Sequence, residues 1–190
     1  MSKKACATII YIFVAIFLIS CASLYGIKSP KHVTAENINV YLKKYTIADS
    51  YILQKSEYVS FLKMKSKDSL FFKNHTQPLQ ALIFENEDLI SFHINCNAGG
   101  FPSLNWNPKG ALNIFPPKTQ TEISFKISKS ELLNFLKVKE NKNNSKYLVV
   151  LFWNQFLGKQ TEKFLREFEK NGKLANSIIF IYINNDNLYL

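Results

Sequence analysis

Apolar positions change their spacing several times along the chain, and each spacing predicts an element. Ile38, Tyr41, Leu42 and Tyr45 share one face of a helix over 35–45, with Thr34 placed to cap it. Tyr51 to Met64 is rich in apolar residues but fits neither the helical nor the strand period, leaving a helix and strands both open; Lys63 to Lys67 reads as a turn. Gln80–Phe84 and Leu89–Ile94 are β-prone runs joined by four polar residues, Glu85 to Asp88, which predicts an antiparallel hairpin. Asn95 to Thr121 is dense in Gly, Pro and Asn, and reads as an ordered, irregular excursion. Ser128 and Glu131 have capping-box spacing ahead of Leu132, Leu133, Phe135 and Leu136, predicting a helix that ends near Val138, with a solvated loop over 139–146.

The last segment predicts a βαβ unit. Tyr147–Trp153 and Ile178–Ile183 are unbroken apolar runs of the kind found in parallel strands. Between them Leu157, Phe164, Leu165 and Phe168 repeat at helical spacing, Glu162 faces Arg166 one turn on, and Asn171-Gly172 supplies a stop. Together these elements predict an α/β fold: a mixed sheet with a β-hairpin and a C-terminal βαβ unit. We place a single domain at 35–190, preceded by a tether at 22–34 that contains Ser29-Pro30.

The first residues are of a different kind. Lys3 and Lys4 precede a stretch without charge from Ala5 to Ile27, and Leu18-Ile19-Ser20-Cys21 lies within it. This segment resembles a bacterial lipoprotein signal, with a lipobox that makes Cys21 the lipidated first residue of the mature chain. The resemblance implies residues 1–21 as signal, a lipid anchor, and a domain on the non-cytoplasmic side of the bacterial cell envelope. Two other readings stay open. A cleaved, unlipidated signal suits the small residues around Cys21, and an uncleaved transmembrane anchor suits the apolar length, which can span about 30 Å as a helix.

Charge narrows the partners. Taking Lys3 and Lys4 from the 24 basic residues leaves 22 against 14 acidic ones, and Arg166 is the single arginine. Arginine is the residue suited to bidentate phosphate and guanine contacts, so its scarcity argues against sequence-reading nucleic-acid binding. The lysine excess fits an A+T-rich coding sequence, or a surface resting on an anionic membrane. Of three cysteines, Cys6 lies in the signal and Cys21 in the lipobox, which leaves Cys96 without a partner for an intramolecular disulfide. A lone cysteine among apolar residues is expected to be buried and inert.

A second resemblance covers roughly 78–187. Val149 to Gln160 resembles the first strand and active-site turn of thioredoxin-like proteins, in which Phe-Trp leads into Cys-Gly-Pro-Cys. Leu157 and Gln160 stand where the two cysteines would be, and neither can supply the low-pKa thiolate that attacks a disulfide. Gln77 to Asn86 looks like the family's cis-proline strand and the strand after it, but it precedes the βαβ unit, so the order is circularly permuted. The resemblance implies a degenerate thioredoxin-like domain whose dithiol site is dead; 95–125 is an insertion that the pattern does not explain.

Other candidate chemistry is sparse. His93 and Cys96 have a spacing found in metal sites, but two ligands make no site, and we expect neither metal nor cofactor. The same pair is the alternative: a thiol-dependent envelope enzyme using Cys96 with His93. The candidate binding surface is the loop 95–108, where Phe101 and Trp106 offer large apolar contacts to an envelope protein or a glycan. The alternative role for these two rings is to plug a core beneath the loop. Asn184 and Asp186 lie at a strand end, where α/β proteins often place ligands. The resulting expectation is a non-catalytic binding module held at the membrane.

Overall fold

The computed structural model describes residues 26–45, 47, 50–100, 104–121, 123, 127–138 and 145–190. Cys21, Phe101 and most of the loop over 139–146 lie outside the described residues. The elements are α1 (Ala35–Leu42), β1 (Tyr51–Ile52), α2 (Lys55–Lys65), α3 (Ser69–His75), β2 (Gln80–Glu85), β3 (Asp88–Ile94), α4 (Lys129–Leu136), β4 (Tyr147–Trp153), α5 (Lys159–Gly172) and β5 (Ile178–Asn184). Short 3-10 turns occupy Pro108–Gly110 and Asp186–Tyr189.

The five strands form one mixed sheet in the order β1-β5-β4-β2-β3. β4 and β5 run parallel over their full length, with Tyr147 opposite Ile178 and Trp153 opposite Asn184, as the crossover through α5 requires. β2 runs antiparallel to both β3 and β4. The hairpin is tighter than expected. Glu85 pairs with Asp88, leaving Asn86 and Glu87 as a two-residue loop in which Asn86 takes a φ of 54°. The ambiguous stretch after Tyr51 resolves into a two-residue strand and then α2.

A bulge explains why β3 does not alternate cleanly. The register shifts between Ile83 and Phe84, so that Ile83 faces Ser91 while Phe84 faces Leu89. Leu89, Phe92 and Ile94 therefore join one core, together with Leu82, Phe84, Val150, Phe152 and Ile183, beneath α2, α3 and α4. Ser91 and His93 are left on the opposite side, where His93 meets Phe168 of α5 with ring centroids 5.3 Å apart. That second core packs Ala81, Ile83, Val149, Leu151 and Trp153 against α1, α5 and the excursion after β3.

Caps hold the covering helices. Thr34 Oγ1 accepts from the Asn37 amide at 3.3 Å, and the Asn37 side chain returns to the Thr34 amide, which starts α1 where the sequence places it. Ser128 and Glu131 form the same reciprocal box on α4, with Glu131 Oε2 accepting from the Ser128 amide at 3.0 Å. Ser128→Ala is expected to cost about 1 kcal/mol, read as a shift in the denaturation midpoint at unchanged slope.

Three expectations are corrected. Residues 26–34 do not hang free as a tether: the Lys28 amide donates to Phe156 O at 2.7 Å, and buried Val33 donates its amide to Asn187 Oδ1 at 3.0 Å. The cis peptide bond among the described residues is Phe115–Pro116, whereas Gln77–Pro78 is trans. Cys96 is exposed, because β3 ends at Ile94 and a turn from Ile94 O to the Asn97 amide swings the chain outward.

Candidate functional site

The parallel strands β4 and β5 end side by side, and the chain continues from β4 into α5 in one core and from β5 into the 3-10 turn Asp186–Tyr189, whose Leu188 joins the other. A lattice of amides holds these strand ends. Asn154 and Asn185 both donate side-chain amides to Pro78 O, at 2.9 and 3.0 Å, and the Asn185 amide reaches back to Trp153 O at 2.8 Å. Asn154 also accepts from the Leu157 amide at 3.0 Å, and Thr161 Oγ1 donates to Asn154 O at 2.7 Å. Together these bonds tie the ends of β4 and β5 to each other and to the turn before β2, and the end of β4 to the head of α5.

Asp186 is the charged member of this lattice and is 1 % exposed. Its carboxylate accepts from the Gln155 amide at 2.9 and 3.0 Å and from Asn184 Nδ2 at 2.7 Å. Burial raises its carboxyl above the usual range, against the lowering effect of those donors. The folded chain therefore holds this proton more tightly than the unfolded one. Between 3.8, its ordinary value, and its raised value, this group makes stability fall as pH rises. Asn184 and Asp186, both flagged in the sequence, do meet at this edge, and they brace its backbone.

The turn into α5 is covered by chain. Gly158 has φ 51° and ψ −119°, and a Cβ there would stand 2.3 Å from Gly26 O. The backbone at Gly26 thus lies directly on the turn that carries Leu157, with Gln160 buried just beyond. Beside this covered turn lies a cleft of about 520 Å³ between residues 28–33, α1 and Gln155-Phe156. Lys28, Lys31 and Lys44 line it, with His32 and Glu36; Val40, Tyr41 and Phe156 form the apolar wall, and Asp186 borders it. Among the described residues none of these three lysines has a salt bridge. The lysines come from the stretch read as a tether and from the turn after α1, and no local motif links them, so only charge in the sequence hinted at them.

The other flagged residues lie elsewhere. Trp106 is 0 % exposed and packs on Phe164 and Phe168 at centroid distances of 4.7 and 5.8 Å, so it is a core residue under the excursion. Asn171 holds that excursion to α5 by donating to Leu112 O at 2.8 Å and Ile114 O at 2.6 Å. Cys96 Sγ donates to Gln77 Oε1 at 2.9 Å, whereas His93 Nε2 lies 2.8 Å from Ser91 Oγ. Ser91 Oγ in turn donates to Pro117 O at 2.7 Å, so the imidazole is the donor to Ser91 and no serine nucleophile is activated. Burial lowers His93 to about 4, with Gln120 opposing.

Among the described residues no group of three His, Cys, Asp or Glu side chains is placed to hold a metal, and no helix is long and apolar enough to cross a membrane. No protein-family pattern, no curated protein and no solved structure matches the chain.

Proposed function

We propose that this chain is a membrane-anchored lipoprotein of the bacterial envelope whose domain is a non-catalytic binding module, a degenerate thioredoxin-like fold in permuted order. The observation that carries the reading is the edge just described. Leu157 in the turn and Gln160 at the start of α5 stand at the positions that the resemblance gives to a dithiol, the backbone of Gly26 covers the turn, and an open cleft lies alongside. The turn offers no thiolate, and neither residue can take part in disulfide exchange.

The fold-level part of the reading rests on order and adjacency. Hairpin, α4, β4, α5 and β5 follow one another in the rotated order, Phe152-Trp153 leads into the α5 turn, and Pro78 O is bound by the residues that follow β4 and β5. The trans bond before Pro78 departs from the family pattern, as does the excursion after β3.

Two measurements on the full chain test the proposal. Intact mass from native membranes is expected to show loss of residues 1–20 and gain of a diacylglyceryl group, both absent in Cys21→Ser. Retention of the whole N-terminus without lipid would replace the lipoprotein by a transmembrane anchor. Detergent-extracted protein is expected to reduce insulin disulfides no faster than dithiothreitol does alone, and Cys96 to be alkylated no faster than free cysteine at neutral pH. Reduction above that of a Cys96→Ser variant would overturn the non-catalytic reading and favour the enzyme built on Cys96.

A further inference from the structure

We propose that the cleft at the carboxyl edge of the sheet is a binding site for a phosphate-bearing anion, of the kind carried by a phospholipid headgroup; this rests on the binding-module reading and names its ligand class. The charge balance at the cleft is the first argument. Lys28, Lys31 and Lys44 all line it, against the exposed carboxylate of Glu36. Asp186 also borders the cleft, buried and held by the Gln155 amide and Asn184, so the lining carries three lysines against two carboxylates. None of the three lysines has a salt bridge among the described residues, and lysine serves phosphate as a point charge where arginine would grip it in a fork.

One further donor belongs to a residue of the lining. Gln155 Nε2 is buried and has no hydrogen-bond partner among the described residues, and it would have to turn into the cleft to meet an acceptor oxygen there. The wall supplies the rest of the ligand class. Val40 is 58 % exposed on the lip, beside Tyr41 and Phe156, which leaves apolar surface next to the charge. A phosphate ester with an uncharged stem fits that pairing better than a bare inorganic ion does. At about 520 Å³ the cleft is also in the size range of small-ligand sites. Finally, the site is built partly from residues 28–33, the stretch that follows the segment resembling a membrane signal, so a headgroup is the nearest abundant source of such an anion.

The test uses the full chain in a neutral detergent, with amide shifts of residues 28–44, Gln155 and Phe156 as the readout. Glycerol 1-phosphate is titrated against sodium chloride at matched ionic strength, in the wild type and in Lys28→Gln/Lys31→Gln/Lys44→Gln. The three lysines are exposed, so the variant is expected to melt with the wild type, which separates lost binding from lost folding. A saturable response to glycerol 1-phosphate, weakened at least about tenfold in the variant, supports the site. In a second arm, hydrogen exchange at the same amides is read in vesicles of phosphatidylcholine with or without phosphatidylglycerol. Protection that requires phosphatidylglycerol and the lysines supports the site and assigns the lipid as source, even where the soluble probe gives none. No response in either arm, or equal responses in wild type and variant, overturns the proposal while leaving the mass and disulfide tests of the module itself untouched.

Discussion

Acidification from pH 8 to pH 5 is expected to remove about 4 kcal/mol of stability, about 2 kcal/mol from each of two buried histidines. His75 is 3 % exposed and His93 0 %, and burial lowers their folded-state values from 6.5 to about 3 and about 4. The sign follows from which state holds the proton. In the unfolded chain each ring protonates near 6.5, while in the folded chain it stays neutral. The stabilising contribution is complete above 6.5 and is lost as pH falls from there toward the folded values. The carboxylates with lowered values, Glu85, Glu87 and Glu131, act only below their ordinary 4.5, and Asp186 acts in the opposite sense, so the window from 5 to 8 reports mainly the histidines.

The expectation has specific variants. His75 stacks on Phe92 with centroids 4.6 Å apart and lies 4.4 Å from Phe71, so His75→Phe keeps an aromatic ring in that slot. His93→Gln keeps an amide donor for Ser91. Urea denaturation of the double variant is expected to show little change between pH 8 and pH 5 where the wild type loses stability. An equal loss in both proteins would mean that the acid response has another origin.

Gly158→Ala is expected to destabilise the chain by about 3 kcal/mol. Two costs add. A side chain is strained at φ 51° and ψ −119°, and its Cβ would stand 2.3 Å from Gly26 O and 2.7 Å from Gly26 C, both backbone atoms that no rotamer change can move. The segment must lift off, breaking the Lys28 amide bond to Phe156 O and loosening the hold on Val33. For a chain of this size the melting temperature should drop by about 10 °C, with faster proteolysis between residues 26 and 33. Gly99→Ala is the control. Nothing lies within 4 Å of the added methyl there, and its effect should stay within about 0.5 kcal/mol. A Gly158→Ala protein that melts with the wild type would show that the docked segment contributes nothing.

Much of the architecture was legible because it is encoded locally. Tyr147–Trp153 is apolar at every position, a pattern only a strand buried on both faces sustains, and it is the central parallel strand. Ser128 with Glu131 announces its helix through bonds three residues apart, and Phe164, Leu165 and Phe168 mark the buried face of α5. β3 was less transparent, since the bulge at Ile90 breaks the alternation that a reader would use to assign faces. The α/β class, the hairpin, the capped helices and the parallel pair thus follow from spacing within single segments.

Tertiary structure decided the rest, and the physical reason is sequence distance. Spacing reports burial relative to a residue's own helix or strand, and is silent about which distant segment supplies the cover. Trp106 reads the same on a binding loop or in a core until Phe164 and Phe168 are placed against it. Cys96 is exposed through the turn that follows β3, not through its own neighbours in sequence. Val33 meets Asn187 across 154 positions, and Gly158 is required by the backbone of Gly26, which converts an expected tether into part of the domain. The lysine cleft has the same origin. Its cations come from two short stretches and its floor from the far end of the chain, and they become a site only where β4 and β5 end together.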